Sequence, residues 1–257
     1  MACGEALVIL TGGIDLSVGS ALAMSACLAG GLMMSAVPWP VCCAAGLVLG
    51  LIAGYANGSF VTFRQLPPII VTLATQFLFR GLTNVVTGAS PYNMLPESFK
   101  TLGRGFSPLA IFLVVAVALW IVLGRSRIGR HVMAAGGSET AARLSGITVP
   151  RVLRFVYATA GLLVALAGLL MAAGNGNAQW TMADGWELDV IAAVVIGGVR
   201  LTGGEGSVLG AALGAMIIVV LRNALFLSGV PAEQYGLVTG AVIVLAALTE
   251  QWRRRVE

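Results

Sequence analysis

Thr11-Gly12-Gly13-Ile14-Asp15-Leu16-Ser17-Val18-Gly19-Ser20 decides the fold, because it places a carboxylate and two glycines between apolar segments. A charge inside a bilayer costs about 2.5–3.5 kcal/mol on insertion scales, so it usually faces a bundle interior or an aqueous path. Asp15 therefore has two interpretations: it lines a transport path, or it lies at the headgroup level near a helix end, where most of the penalty disappears. Gly12 and Gly13 predict a helix break.

The composition of the whole chain indicates a polytopic membrane protein. Of its 257 residues, 58% are hydrophobic and 10% are charged. Soluble domains carry about 25% charged residues and could not hide this much apolar surface from water. The four cysteines, Cys3, Cys27, Cys42 and Cys43, have neither zinc-site nor disulfide-framework spacing and are interpreted as small buried residues.

A helix needs about 20 residues to cross the hydrocarbon of a bilayer. The sequence contains eight apolar runs that are candidates for such spans, and they follow an N-terminal helical stub that ends at Leu10. They cover roughly 17–36, 39–61, 66–88, 107–125, 152–173, 187–200, 206–223 and 232–249. The sixth and seventh are short and are separated by a glycine-rich segment, so we expect half-helices that meet inside the protein. The glycines predicted to break them are Gly197, Gly198, Gly203 and Gly204. The predicted fold is all-α, with about 8–9 transmembrane helices.

Arginines cluster in the loop 125–154 and at Arg253, Arg254 and Arg255, and this places both segments in the cytoplasm. Counting spans from the loop puts Arg64 inside and the loops 89–106 and 174–186 outside. The net charge of +4 follows from this topology rather than from nucleic-acid binding.

Glycines that recur every four residues predict close helix packing, either within one chain or between two copies. They are Gly46, Gly50, Gly54 and Gly58, and then Gly206, Gly210 and Gly214. The sequence around Thr202-Gly203-Gly204 also echoes the one around Thr11-Gly12-Gly13, with an acid and then Ser-Val in both. The echo indicates a parallel internal repeat, although glycine-rich sequences also produce such echoes by chance.

Missing residue types exclude most catalysis. His131 is the only histidine and lies in the basic loop, which excludes a zinc pair or a Ser-His-Asp relay on one chain. Lys100, the only lysine, follows Phe99 rather than a glycine, so no phosphate-binding loop is present. We therefore predict that this chain has no catalytic residue, metal or cofactor and does not hydrolyse ATP alone.

A short, self-contained helix is predicted between Ser138 and Gly146 in the basic loop. The Ser138 side chain can accept hydrogen bonds from the first amides of the helix, and the negative charge of Glu139 is favourable at the positive N-terminal end of the helix dipole. Gly146 can end the helix in the left-handed conformation. Two turns, about 10 Å, are too short to be stable alone. The helix either docks on a partner protein or merely orders the loop.

Four segments in this order resemble the permease subunit of ATP-binding-cassette (ABC) importers of the ribose-type, monosaccharide branch, along nearly the whole chain. They are Leu10-Thr11-Gly12-Gly13-Ile14-Asp15-Leu16-Ser17-Val18-Gly19-Ser20, Leu66-Pro67-Pro68-Ile69-Ile70-Val71-Thr72-Leu73-Ala74-Thr75, Ala141-Ala142-Arg143-Leu144-Ser145-Gly146-Ile147, and Glu187-Leu188-Asp189-Val190-Ile191-Ala192-Ala193-Val194-Val195-Ile196-Gly197-Gly198. The resemblance implies a single permease domain, 1–257, in the bacterial cytoplasmic membrane. It also implies a second permease subunit, a cytoplasmic ATP-binding subunit and an extracytoplasmic sugar-binding protein as partners.

The resemblance also implies roles for particular residues. The loop helix resembles a coupling helix that contacts the ATP-binding subunit through Ser138, Glu139, Ala142, Arg143, Leu144 and Gly146. Polar groups either line the path or brace helices at Asp15, Asn57, Asn84, Glu187 and Asp189. Further hydrogen-bonding or aromatic groups for a neutral sugar lie near the path ends at Asn93, Asn175, Asn177, Gln179, Trp180 and Trp186.

Two expectations remain open at this stage. Members of the family usually begin with at least one further transmembrane helix, so Met1 marks either a misassigned start or a truncation. The main functional alternative is a secondary transporter or channel that uses Asp15 or Asp189 as an ion site and needs no ATPase. The sequence does not name the sugar.

Overall fold

The computed structural model describes residues 1–63, 65–231, 234–238, 240–241 and 244. In this part of the chain the regular elements are helical: α1 (Ala2–Leu10), α2 (Val18–Met34), α3 (Trp39–Thr62), α4 (Pro68–Thr87), α5 (Glu97–Lys100) with a 3-10 turn (Thr101–Gly103), α6 (Ser107–Arg125), α7 (Arg127–Gly137), α8 (Glu139–Leu144), α9 (Val149–Asn175), α10 (Trp186–Ile196) and α11 (Val208–Leu227). Five of them are long and apolar enough to span a membrane: α3, α4, α6, α9 and α11.

This architecture confirms the predicted all-α polytopic fold. The helical stub ending at Leu10 and the spans at 39–61, 66–88 and 107–125 match α1, α3, α4 and α6 closely. The predicted span 232–249 is described only at residues 234–238, 240–241 and 244, and Arg64 and the arginines from Arg253 lie outside the described residues.

The expectation of two half-helices is corrected by the structure. α10 has 11 residues and ends at Ile196, because Gly198 takes a left-handed φ of 80°. α11 has 20 residues, which is a full span. Only α10 is short. Gly197 and Gly198 end it, whereas Gly203, Gly204 and Gly206 all lie before Val208 and so do not interrupt α11.

The loop 125–154 contains one helix more than predicted. α7 begins after Ser126, whose side chain accepts a hydrogen bond from Gly129 N, and it carries Arg127 and Arg130, two of the six arginines of the loop. α8 then follows after the single residue Ser138. Ala135, Ala142 and Val149 form a small buried cluster that joins α7, α8 and the start of α9.

The loops segregate to two ends of the bundle. At one end, here called the basic end, α7 and α8 lie with the turns 11–17 and 197–207, and Gly204 N donates to Leu10 O at 2.9 Å. At the opposite end, Tyr92 and Ala178 exchange backbone hydrogen bonds of 2.8 and 3.0 Å, which joins the loops 88–106 and 176–185. This arrangement agrees with the predicted alternation of loops.

The core of the bundle is the contact between α3 and α9, the most extensive between any two described elements. A β carbon on Gly50 would lie 2.6 Å from Gly161 O, and one on Gly58 would lie 2.8 Å from Arg154 Cα. A β carbon on Gly54 would overlap Tyr157 O. The four-residue glycine spacing therefore serves intramolecular packing here, and backbones approach where no side chain intervenes.

Gly54→Ala should destabilise the protein by about 1–3 kcal/mol, because the new methyl group has no space and α3 must move away from α9. The measurement is the midpoint of thermal unfolding in detergent. Gly81→Ala on α4 is the matched control, since its β carbon would meet nothing within 4 Å. Equal midpoints for the two variants would contradict the packing role of Gly54.

Candidate functional site

The predicted loop helix is present as α8 at the basic end. Ser138 Oγ accepts a hydrogen bond from Ala141 N at 3.2 Å, and Gly146 takes a φ of 80° just after the helix. Glu139 Oε1 accepts from Arg143 Nε at 3.0 Å, so these side chains pair with each other on the exposed surface. α8 is thus a short helix whose cap, charge pair and closing glycine agree with the sequence pattern.

The faces of α8 differ in exposure. Ala142 is buried against Ala135 and Val149, whereas Leu144 is 86% exposed. Of the six residues predicted to contact a partner, Ala142 instead holds α8 on its own chain. Leu144, Glu139 and Arg143 thus lie on the outward side of α8, while Ala142 faces the rest of the chain.

A cavity of about 250 Å³ lies between α8 and the rest of the basic end. Glu139 and Arg143 line one side, and Gln65 and Thr11 contribute further polar groups. Tyr157 on α9 also lines it. The cavity therefore extends from the exposed helix to the residues that surround the first glycine turn.

Asp15 lies inside the bundle and is only 3% exposed. Its Oδ1 accepts from Ser17 N at 2.8 Å and from Ser17 Oγ at 2.6 Å, which stabilises the turn before α2. Asn57 on α3 donates to Ser17 Oγ at 2.8 Å. The structure thus brings Asp15 and Asn57 together inside the protein.

Two residues of this cluster were missed by the sequence analysis. Glu5 on α1 is 0% exposed, and its Oε1 accepts from Asp15 N at 3.0 Å. The Tyr157 hydroxyl is buried beside Gly13, whose β carbon would lie 2.6 Å from it. An acid within the apolar α1 was a usable signal, whereas the proximity of Tyr157 depends on α9 crossing the turn.

Glu187 belongs to a second polar group, beside the first turn of α2, where a β carbon on Gly19 would lie 3.3 Å from Glu187 Oε2. Gln76 Nε2 on α4 donates to Glu187 Oε1 at 3.0 Å, and Arg80 donates to the carbonyls of Trp180 and Met182, the latter at 2.9 Å. Arg80 Nη2 also lies 3.5 Å from Asp184 Oδ1. These contacts fasten α4 to the loop before α10.

Asp189 forms a third group with residues of α11. Its Oδ2 accepts from Arg222 Nη2, and the Arg222 guanidinium lies 5.4 Å from the centre of the Trp186 ring. Arg80 and Arg222 were both missed, although a charged residue inside a predicted span is a readable signal. Asp15, Glu187 and Asp189 therefore occupy three separate groups rather than one.

The remaining predicted polar residue, Asn84, lies apart from the Asp15 cluster. Thr72 Oγ1 donates to Ile14 O at 3.0 Å, which fixes the start of α4 near the first turn. Asn84 lies about 18 Å further along the axis of α4 and is half-buried. Among the described residues, no three His, Cys, Asp or Glu side chains converge as a metal site.

Four of the six predicted helix-breaking glycines have a positive φ, and all four lie in the two turns at the basic end. Gly12, Gly198, Gly203 and Gly204 have φ between 78° and 82°, values that favour glycine. Gly13 and Gly197 instead allow close approach: a β carbon on Gly197 would overlap the backbone of Gly210 on α11.

Comparison with known sequences identifies this arrangement. The family described as the permease component of the branched-chain amino acid transport system matches residues 1–247. The chain belongs to this family. The ribose import permease of Bacillus subtilis (strain 168) is 42% identical, covering 98% of this chain and 80% of that protein.

Further relatives carry related names. The fructose import permease of Rhizobium meliloti is 35% identical over 98% of this chain and 74% of its own length. The autoinducer 2 import system permease of Shigella flexneri is 35% identical over 99% of this chain and 76% of its own length. These relatives confirm the resemblance to ribose-type ABC import permeases. No solved structure matches the chain significantly.

Asp15→Ala should lower the stability of the folded permease by about 1–3 kcal/mol, because Ser17 N and Oγ would be left as buried donors without an acceptor. Asp15→Asn should lose much less, because the amide oxygen can still accept. The measurement is the unfolding midpoint in detergent, together with membrane-inserted yield. A variant Asp15→Asn that folds normally but transports poorly would instead place the carboxylate on the transport path.

Proposed function

We propose that this chain is the membrane-spanning subunit of an ATP-driven importer of a monosaccharide in the bacterial cytoplasmic membrane. Relatives that are 41–42% identical are named as import permeases for ribose, and relatives that are 35% identical as import permeases for fructose and autoinducer 2. The chain itself offers helices to form the path and lacks the residue types of an ATP-hydrolysing site. A sugar substrate fits the neutral hydrogen-bonding groups of the bundle.

The observation that carries the ATP-driven function is α8. It is held on its own chain through Ala142 and presents Leu144, Glu139 and Arg143 outward. A two-turn helix does not persist without packing, and here one face is packed while the other is free for a partner. We propose that the cytoplasmic ATP-binding subunit contacts this free face.

The other proposed partners follow from the opposite end and from the family. A second permease subunit, identical or homologous, completes the path, and an extracytoplasmic sugar-binding protein delivers the sugar to the loops 88–106 and 176–185. In that region Glu97 forms ion pairs with Lys100 and Arg104. The hydrogen bond from Lys100 holds the pKa of the exposed Glu97 carboxyl below its ordinary value.

For Asp15, Glu187 and Asp189, we propose helix bracing rather than contact with sugar. The Asp15 carboxylate accepts a hydrogen bond from Ser17, that of Glu187 accepts one from Gln76, and that of Asp189 accepts one from Arg222. Each contact joins separate elements or closes a turn, and a buried carboxylate that is hydrogen-bonded costs far less than a free one. The residues offered to a passing sugar are then the uncharged groups.

The test of the function is reconstitution. The chain is coexpressed with its genomic neighbours, tagged and purified, and the complex is placed in vesicles for uptake of radiolabelled ribose. We expect a copurifying ATP-binding protein and uptake that needs ATP and stops with vanadate. Uptake that persists without ATP and follows a proton or sodium gradient would instead establish the secondary transporter.

A second measurement tests α8 itself. Glu139→Ala with Arg143→Ala and Leu144→Glu should reduce recovery of the ATP-binding subunit by about tenfold or more, since the central residues of an interface typically cost 2 kcal/mol or more. The matched control is Glu97→Ala with Arg104→Ala, which removes an exposed acid–arginine pair at the opposite end. Equal recovery for the two variants would exclude α8 as the docking surface.

A further inference from the structure

Three backbone segments meet at the basic end through glycine alone. Gly204 N donates to Leu10 O at 2.9 Å, which joins the turn after α10 to the turn after α1. A β carbon on Gly203 would lie 2.8 Å from Gly12 N, and one on Gly136 would lie 2.6 Å from Gly204 N. We call Gly12, Gly136, Gly203 and Gly204 the glycine junction.

The junction leaves no room for sliding between its members. A β carbon on Gly136 would also overlap Leu10 O, so α7 lies directly against the end of α1. Contacts between backbones have no flexible side chain that could absorb a displacement, and packed interiors transmit strain rather than deforming. The three segments therefore behave as one body.

α8 is attached to this body at a short distance. Ser138 is the single residue between α7 and α8, and Ala135 packs with Ala142 across the bend. A force on the exposed face of α8 therefore reaches Gly136 through one residue and one buried contact.

Each of the other two segments leads into a longer helix that runs to the opposite end. The turn 11–17 enters α2 after Ser17, and the turn 197–207 enters α11 after Ser207. Both follow a short helix, α1 or α10, and both contain a glycine near φ 80°. The echo seen in the sequence thus corresponds to two similar units that touch at their turns.

We propose that the glycine junction is the mechanical link of the importer, which makes α7 and α8 move together with the starts of α2 and α11. This inference rests on the proposed function, because the force on α8 comes from the ATP-binding subunit. It assigns a positioning role to Gly136, Gly203 and Gly204 that reaches two spans at once.

The link is tested by distances between spin labels in the assembled complex. Labels are placed at exposed positions with His131→Cys on α7, Thr202→Cys in the second turn and Ser98→Cys at the opposite end. The native cysteines are replaced, and the labelled chain is diluted with unlabelled chain so that only one permease copy carries a pair. Electron–electron distances are compared without nucleotide and with ATP and vanadate.

We expect the distance between residues 131 and 202 to be the same in both states, while both distances to residue 98 change. A change between 131 and 202 together with one between 131 and 98 would overturn the junction while leaving the ATP-driven function intact. If none of the three distances responds to nucleotide, no movement passes through the junction within the chain and the proposal is overturned, whereas the ATP-driven function is decided separately by vanadate-sensitive uptake.

A variant at the junction gives an independent readout. Gly136→Ala should leave assembly with the ATP-binding subunit intact but lower the ratio of transported ribose to hydrolysed ATP by about tenfold, within the usual range of coupling between distant sites. Gly137→Ala is the matched control, because its β carbon would meet only Gly204 Cα at 3.9 Å. An equal ratio for the two variants would overturn the proposal, and the label distances keep it testable if Gly136→Ala does not assemble.

Discussion

Close approach of helix backbones at glycine is the constraint on which the rest of this structure depends. Lipid tails are as apolar as leucine side chains, so helices in a membrane gain stability from packing rather than from leaving water. The contact between α3 and α9 uses Gly50, Gly54 and Gly58 from one side and Gly161 from the other. Because this contact is so close, α9 passes directly over the turn that precedes α2, and Tyr157 reaches Gly13.

That geometry explains how the bundle tolerates charge. Burying an acid without a partner is costly, whereas an acid that closes a turn replaces its lost water with backbone and hydroxyl donors. Asp15 does this with Ser17, and Glu5 accepts from the backbone of Asp15. Arg80 and Arg222 act in the same way on other elements, where each ties a helix to a neighbouring segment. These contacts support the proposal that the charges inside the bundle brace helices.

The same packing rule connects the site to the function. α8 is the surface that we propose the ATP-binding subunit contacts, and its attachment to α7 leads within a few residues to the glycine junction. From there α2 and α11 run through the bundle. A transporter needs a stiff structure near the source of force, and this structure must reach the helices that line the path. The direct backbone contacts of the glycine junction make the basic end stiff.

The sequence by itself determined the class of protein, most helix bounds and the ends of α8, because these depend on local rules: apolar length, proline at helix starts, a serine cap and a closing glycine. It also showed that Gly12, Gly203 and Gly204 mark turns. Tertiary structure alone decided which partners these residues have. Glu5 meets Asp15, Tyr157 meets Gly13 and Arg222 meets Asp189 only because of the way α1, α9 and α11 cross their neighbours, and no local pattern records a crossing. For the same reason the turns after α1 and α10 could be recognised as similar from the sequence, whereas their contact with each other and with Gly136 could not.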